Sequence, residues 1–285
     1  TEYLSGEVID KACGYFKSVE SFDGCAQLSI PTTIQNGELH EDVSDITGVM
    51  IPAYYEFITT GQIQIYVHMD VDTRTKVREP NNKDIDLAEG IYKLLHMSNM
   101  YISTDSGYMH KLAQIQNYDW VTPTHLKMMK PRLKKHIGTS NNIFEYKVGT
   151  KKDILGKHLV GSIDCVSDIG KNRGYRIYEF KCVSKLKRTH LIQIAVYAYL
   201  LESSDEFQGM DRTLSRKYML VNLLSGAYTR ITFELSELEK MVEFLVLQKF
   251  FIKSDKNDKT FMIEANECIG GNTPEVSMET SPPFC

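Results

Sequence analysis

The sequence predicts an α/β fold in which a run of strands is bracketed by helices, and three observations carry that expectation. Apolar and polar residues alternate with a period of two in short stretches between residues 143 and 233. Helix start signals stand before and after those stretches. Residues 189–202 are apolar nearly all round, as a helix packed into a core must be.

From about residue 109 the elements follow in order. Thr122 is the expected N-cap, with Pro123 at N1, of a helix running toward Gly138, and Pro131 should kink or restart it. Strands are expected at Ile143–Val148, Lys157–Val166 and Gly174–Val183, the last two joined by a turn at Asp168-Ile-Gly-Lys-Asn-Arg-Gly. Thr189 should cap the buried helix, which ends near Glu202. Two strands follow, Lys217–Leu224 and Tyr228–Phe233, joined at Ser225-Gly226. A last helix begins at Ser236, with Glu239 completing a capping box, and runs to about Ile252. The order is α-β-β-β-α-β-β-α.

Residues 1–108 read as an acidic α/β accessory region. Gln62-Ile-Gln-Ile-Tyr-Val-His alternates as a half-buried strand should. A polar loop follows, and Asp84 or Asp86 should cap a helix carrying Ile91, Leu94, Leu95 and Met97 that ends near Asn99. Residues 254–285 are polar, then rich in Pro, Ser and Glu, and should be a poorly ordered tail. The expected division is thus 1–108, 109–253 and 254–285.

At 285 residues, 42% hydrophobic and 25% charged, the chain is long enough to bury a proper core. No apolar run of about 18 residues occurs, which argues against a membrane span, and the six scattered cysteines suit a reduced, intracellular setting. The six cysteines form no CxxC and no Cys/His ladder, so zinc fingers and clustered iron–sulfur sites lack support. Cys165 and Cys182 should be core-facing thiols rather than nucleophiles, because no His partner is placed for them. The net charge of −4 hides a local basic zone at residues 125–160, including Lys127, Lys130, Arg132, Lys134, Lys135 and Lys147, which a phosphate backbone would feel. A solvated helix face explains that zone equally well.

The chemistry concentrates in two strands. Alternation puts Ile177, Glu179 and Lys181 on one face of the third strand, in an apolar run where ionisable groups cost free energy unless paired or liganded. The preceding strand has the same oddity, Asp164 inside Leu159-Val-Gly-Ser-Ile-Asp-Cys-Val. As hairpin partners the two strands bring Asp164 and Glu179 together, and such carboxylates repel unless a proton or cation lies between them. Paired oxygens suit Mg²⁺ or Mn²⁺. Gly161 leaves room for a close approach. The rival explanation is a buried carboxylate–lysine ion pair. Gln193 and Tyr197, four apart on the next helix, are polar on one face of an apolar helix.

Together, Gly161-Ser-Ile-Asp164, Tyr178-Glu-Phe-Lys181 and Gln193-Ile-Ala-Val-Tyr197 resemble the G-x-(I/V)-D, (D/E)-x-K and Q-x-x-x-Y motifs of RecB-like nucleases, the Cas4/RecB branch of the PD-(D/E)xK superfamily. The resemblance covers about residues 109–250. It implies a restriction-endonuclease-like α-β-β-β-α-β core with a mixed sheet flanked by helices, and a Mg²⁺- or Mn²⁺-dependent deoxyribonuclease acting on DNA ends or single strands. It implies that Asp164, Glu179 and the Phe180 carbonyl hold the metal, that Lys181 is the catalytic lysine, and that Gln193 and Tyr197 order the site and contact DNA. His125 and Glu145 are the candidates for the further upstream ligand that the family often has. The Cys quartet of some members is missing, so no iron–sulfur cluster is expected. Lys185, Lys187, Arg188 and His190 follow the lysine motif and would sit at the mouth of the site. Trp120, Tyr118 and Tyr146 are candidates for stacking on unpaired bases, although burial suits Trp120 better.

The segment Glu41 to Phe57 also faintly resembles the stretch preceding the nuclease domain in some large-DNA-virus helicase–nucleases. With no initiator Met, this suggests the nuclease end of a longer helicase-like protein and a helicase partner in cis or trans. Two other functions fit the residues: a non-catalytic nuclease-like domain that binds DNA or a helicase, and an RNA endonuclease of the cap-snatching kind.

Overall fold

The computed structural model describes residues 4–36, 39–106, 114–138, 141–168, 174–204 and 215–250. The tail expected at 254–285 and the turn after Asp168 lie outside the described residues.

A six-stranded mixed sheet organises the chain. Its strands are β1 (Ser18–Phe22), β4 (Asn142–Gly149), β5 (Val160–Asp168), β6 (Gly174–Lys181), β7 (Ser215–Asn222) and β8 (Tyr228–Thr232), in the order β1-β8-β7-β6-β5-β4. All neighbours are antiparallel except β6 and β7, which are parallel. Parallel neighbours need a crossover, and a helix, α7 (Arg188–Glu202), lies between them in the chain. A small hairpin, β2 (Thr33–Asn36) with β3 (Leu39–Asp42), stands apart.

Helices cover both faces. One face packs Phe144, Cys165, Tyr178, Phe180 and Val221 against α2 (Ser44–Thr60), α5 (Ala88–Ser106) and α6 (Pro123–Ile137). The other packs Ile163, Ile177 and Tyr218 against α1 (Gly6–Cys13), α7 and α8 (Leu235–Phe250). Two short helices, α3 (Gln64–His68) and α4 (Val71–Lys76), follow α2. Residues on both sides of 108 therefore build one sheet and one of its cores.

Several local expectations change. Gln62–His68 is not a strand. Gly61 ends α2 in the left-handed conformation, and the buried Glu56 carboxylate accepts the Gln64 N–H at 2.8 Å, which starts α3 in place of an extended run. Neither Asp84 nor Asp86 caps α5. Asp84 accepts from Asn81 N and Lys93 Nζ, Asp86 accepts from Tyr54 Oη, and α5 continues past Asn99 to Ser106. Thr122 does cap α6, which runs unbroken through Pro131. Helix α7 begins at Arg188, so Thr189 lies inside it, and α8 begins at Leu235, one residue before Ser236. Among the described residues no helix is long and apolar enough to cross a membrane.

Candidate functional site at the fork between β5 and β6

The β5–β6 ladder ends at the pair Cys165–Tyr178. Beyond it β5 continues with β4 alone and β6 with β7 alone, so the sheet opens into a fork. Asp164 sits at its apex, where its Oδ2 accepts the Phe180 N–H at 2.6 Å and so satisfies a backbone donor that lost its ladder partner. Glu179 follows Tyr178 on β6 and is buried, and Lys181 lies one alternation further on. Lys181 Nζ donates to Glu179 Oε1 at 2.7 Å. The side chains are 21% and 2% exposed, so the lysine head meets solvent while its partner does not.

The alternation of β4 and of β5 reverses at this level. On β4, Phe144 packs toward α2, whereas Tyr146 and Val148 pack toward α7; on β5, Cys165 packs toward α2 but Ile163 toward α7. The reversal is centred on Glu145 and Asp164, which face each other in the register but do not pair. Glu145 has φ +47°, a left-handed conformation that a non-glycine residue adopts only where its surroundings impose it. Its buried Oε2 accepts from Ser162 Oγ at 2.8 Å and Tyr101 Oη at 3.2 Å, and Lys147 Nζ donates to that tyrosine at 2.9 Å.

Helix α7 closes the site from one face. Gln193 Nε2 donates to Tyr197 Oη at 3.1 Å. A Cβ on Gly161 would fall 2.7 Å from Tyr197 Cε1, so the absent side chain on β5 is what admits the tyrosine ring. From the other face the start of α2 (Ser44, Asp45, Gly48) forms the opposite wall of a cleft of about 310 Å³, which Asp164, Glu179, Lys181, His190 and Gln193 also line. That wall was not expected from the sequence, since α2 lies far from the motifs in the chain. Two larger clefts, of about 530 and 510 Å³, contain neither carboxylate.

Electrostatics follow from burial. Burial, reinforced by Glu179 and opposed by Lys181, holds the Asp164 carboxyl well above the usual carboxylate range. Burial also raises Glu179, against the pull of Lys181. Burial disfavours the Lys181 charge, but Glu179 and then Asp164 outweigh it and hold the ammonium above its ordinary value. Burial, with Lys181 and Lys187 adding to it, pushes His190 down to about 4, so its ring is neutral near pH 7. Cys165 and Cys182 are core thiols held protonated by burial, as expected.

The donor set suits a hard divalent cation in part. Glu179 Oε2 is buried without a hydrogen-bond partner, and Asp164 and Phe180 line the same cleft. Among the described residues no three His, Cys, Asp or Glu side chains gather as a complete ligand cage. Among the described residues, the carboxylates of Asp164 and Glu179 line this cleft, with Asp45 on the α2 wall.

Other predicted residues are placed elsewhere. His125 belongs to the α6 cap: its Nδ1 accepts the Thr122 N–H at 3.2 Å, and it does not line the cleft. Arg188 pairs with Asp10 of α1. Lys185 and Lys187 are exposed. Trp120 and Tyr118 are buried, with Trp120 Nε1 donating to Thr47 at 2.9 Å and Asn99 Nδ2 donating to Tyr118 at 2.8 Å; neither is available for stacking. In the basic zone, Arg132 is structural, donating to the carbonyls of Leu223 and Ala26.

No protein-family model and no curated protein matches the chain. Among solved structures, one described as "Crystal structure of SSO0001" aligns at 16% identity over 79% of this chain and 93% of its own, with a TM-score of 0.29. At that score the likeness carries no argument about fold or function.

Proposed function

We propose that the protein is a Mg²⁺- or Mn²⁺-dependent nuclease of the PD-(D/E)xK type, of the RecB-like branch, that hydrolyses DNA phosphodiester bonds at ends or in single strands. The observation that carries this reading is Glu179 Oε2, a buried carboxylate oxygen without a partner, beside a second carboxylate at the fork of the sheet. A structural ion pair needs one carboxylate, and Lys181 already has it in Glu179. Asp164 is then surplus negative charge that only a proton or a cation offsets.

In this reading Asp164, Glu179 and the Phe180 carbonyl hold the metal, which when bound supplies Lewis acidity toward phosphate and an activated water. Lys181 offers its ammonium to the charge that develops on the phosphoryl oxygens. Gln193 and Tyr197 form the floor that orients the trio and contacts the substrate, and the exposed Lys185 and Lys187 draw the phosphate backbone toward the cleft. The strand order around the fork, with two antiparallel pairs and then a parallel one reached through α7, is consistent with a restriction-endonuclease-like core. A helicase partner, in cis or trans, belongs to the same reading.

The test is cleavage of single-stranded DNA, duplex DNA and RNA with Mg²⁺, Mn²⁺ or EDTA. Metal-dependent DNA cleavage lost in Asp164→Ala and Lys181→Ala supports the assignment. Undiminished cutting by either variant overturns it, preference for RNA selects the cap-snatching alternative, and salt-sensitive DNA binding without cleavage selects the non-catalytic one.

A further inference from the structure

A second concentration of charge lies on the other face of the sheet. Alternation along β6 sends Glu179 toward α7 but Arg176 and Tyr178 toward α6. There Arg176, Lys217 of β7 and Arg230 of β8 line one cleft of about 220 Å³ with Lys135 and His136 from the end of α6. No carboxylate lines it. Arg176 and Lys217 are direct partners in the β6–β7 register, and Arg230, opposite Met219, is the diagonal neighbour of Lys217. Like charges placed directly across a ladder oppose sheet formation. Arg230 is neutralised by Glu20 of β1. Arg176 and Lys217 enter no ion pair among the described residues, and Arg176 Nε is buried without a partner.

In a chain of net charge −4, such a pair persists at a cost unless an anion completes it. The guanidinium fork of Arg176 beside an ammonium suits a phosphate group, with Arg binding two oxygens and Lys acting as a point charge. Unpaired cations on two adjacent strands and at the end of α6 suit successive phosphates of one polymer better than a single small anion. We infer that the cleft of Arg176, Lys217 and Lys135 is a second nucleic-acid backbone site, on the face of the sheet opposite Asp164 and Glu179. Its ligand rests on the nucleic-acid reading of the protein, but its operation does not depend on the catalytic trio.

Binding of a labelled single-stranded DNA oligonucleotide to the full chain in EDTA, followed by fluorescence anisotropy across a salt series, tests this. Arg176→Gln/Lys217→Gln should weaken binding at least tenfold and reduce the log–log salt slope by about 1.4, the value for two single-strand phosphate contacts. The charge-preserving Arg176→Lys/Lys217→Arg protein should bind within about threefold of the parent. If the double glutamine variant does not fold by circular dichroism, Lys217→Gln alone should still lower the slope. Unchanged binding overturns the inference, as does an equal loss in Lys83→Gln/Lys152→Gln, which removes the same charge at exposed positions. Occupation of the cleft by inorganic phosphate without cleft-dependent oligonucleotide binding also overturns it. Loss of cleavage in Asp164→Ala with cleft-dependent binding intact separates this result from the fate of the nuclease reading.

Discussion

Glu145 and Asp164 face each other across β4 and β5 at the one position within that ladder where the strands do not pair, and Glu145 is held there at φ +47°. A non-glycine residue in that region costs on the order of 1–3 kcal/mol, which is retained where the surroundings over-determine it. Here they do: Ser162 and Tyr101 grip the carboxylate. The conformation turns Tyr146 toward α7 and leaves a third carboxylate beside the fork.

Glu145→Gln should keep both grips, since an amide oxygen also accepts, while removing the charge. Burial raises the Glu145 carboxyl, so its contribution to stability is full below the ordinary carboxylate range and lost as pH rises through the folded-state value. The variant lacks that loss and should unfold at a higher temperature than the parent at neutral pH. Its affinity for Mn²⁺, read by isothermal titration calorimetry, should fall about tenfold to a hundredfold, as when a group supporting metal ligands is removed. Unchanged affinity would make Glu145 a purely structural residue.

Gly161→Ala should be destabilising by about 1–3 kcal/mol, the usual range for overpacking a filled site, because the new Cβ meets Tyr197 Cε1 at 2.7 Å and Cδ1 at 3.2 Å. Adding Tyr197→Ala removes the clash, so the double variant should be less destabilised than the two single effects summed. Chemical denaturation of the four proteins measures this, and simple additivity would show that glycine is not there to admit the ring.

These residues also mark how far the sequence could be read. Asp164, Glu179 and Lys181 were legible because charged residues in apolar strands violate the pattern around them, and α7 was legible because it is apolar on every side. Thr122-Pro123 announced α6 because the cap is local. Strand β1 was not visible: its residues are mostly exposed, and only the ladder to β8 makes them a strand. The period-two run at Gln62–His68 misled because Glu56, eight residues before Gln64, captures the amide that an extended chain would have left free. Glu56 itself gave no signal, being one acid among many in an acidic region.

Glu56 should nevertheless govern much of the pH dependence of folding. It is buried on α2, and burial, opposed by the Gln64 N–H and reinforced by Glu145, pushes its carboxyl up to about 7. The folded-state value lies above the unfolded one, so its contribution is present below the ordinary carboxylate value of 4.5 and disappears as pH rises through about 7. The window corresponds to about 3 kcal/mol. In urea unfolding on both sides of it, Glu56→Gln should lose less stability than the parent as pH rises, because the amide still accepts from Gln64 but never ionises. Parallel pH profiles for the two proteins would rule out ionisation of Glu56 as the cause.

A divalent ion should reverse the slope that the two fork carboxylates impose. Asp164 and Glu179 both have raised values in the folded chain, so without metal their ionisation favours unfolding as pH rises. A cation binds the ionised pair and competes with protons for it, so its stabilising effect must grow with pH over the same range. At a concentration 100 times the dissociation constant, Mn²⁺ should add about 2.7 kcal/mol, seen as a rise in Tm that is small in acid and full once both groups are ionised. Asp164→Asn should be more stable than the parent without metal and gain little from Mn²⁺, because the repulsion and the ligand disappear together. A pH-independent rise in Tm, or one preserved in Asp164→Asn, would place the ion somewhere other than the fork between β5 and β6.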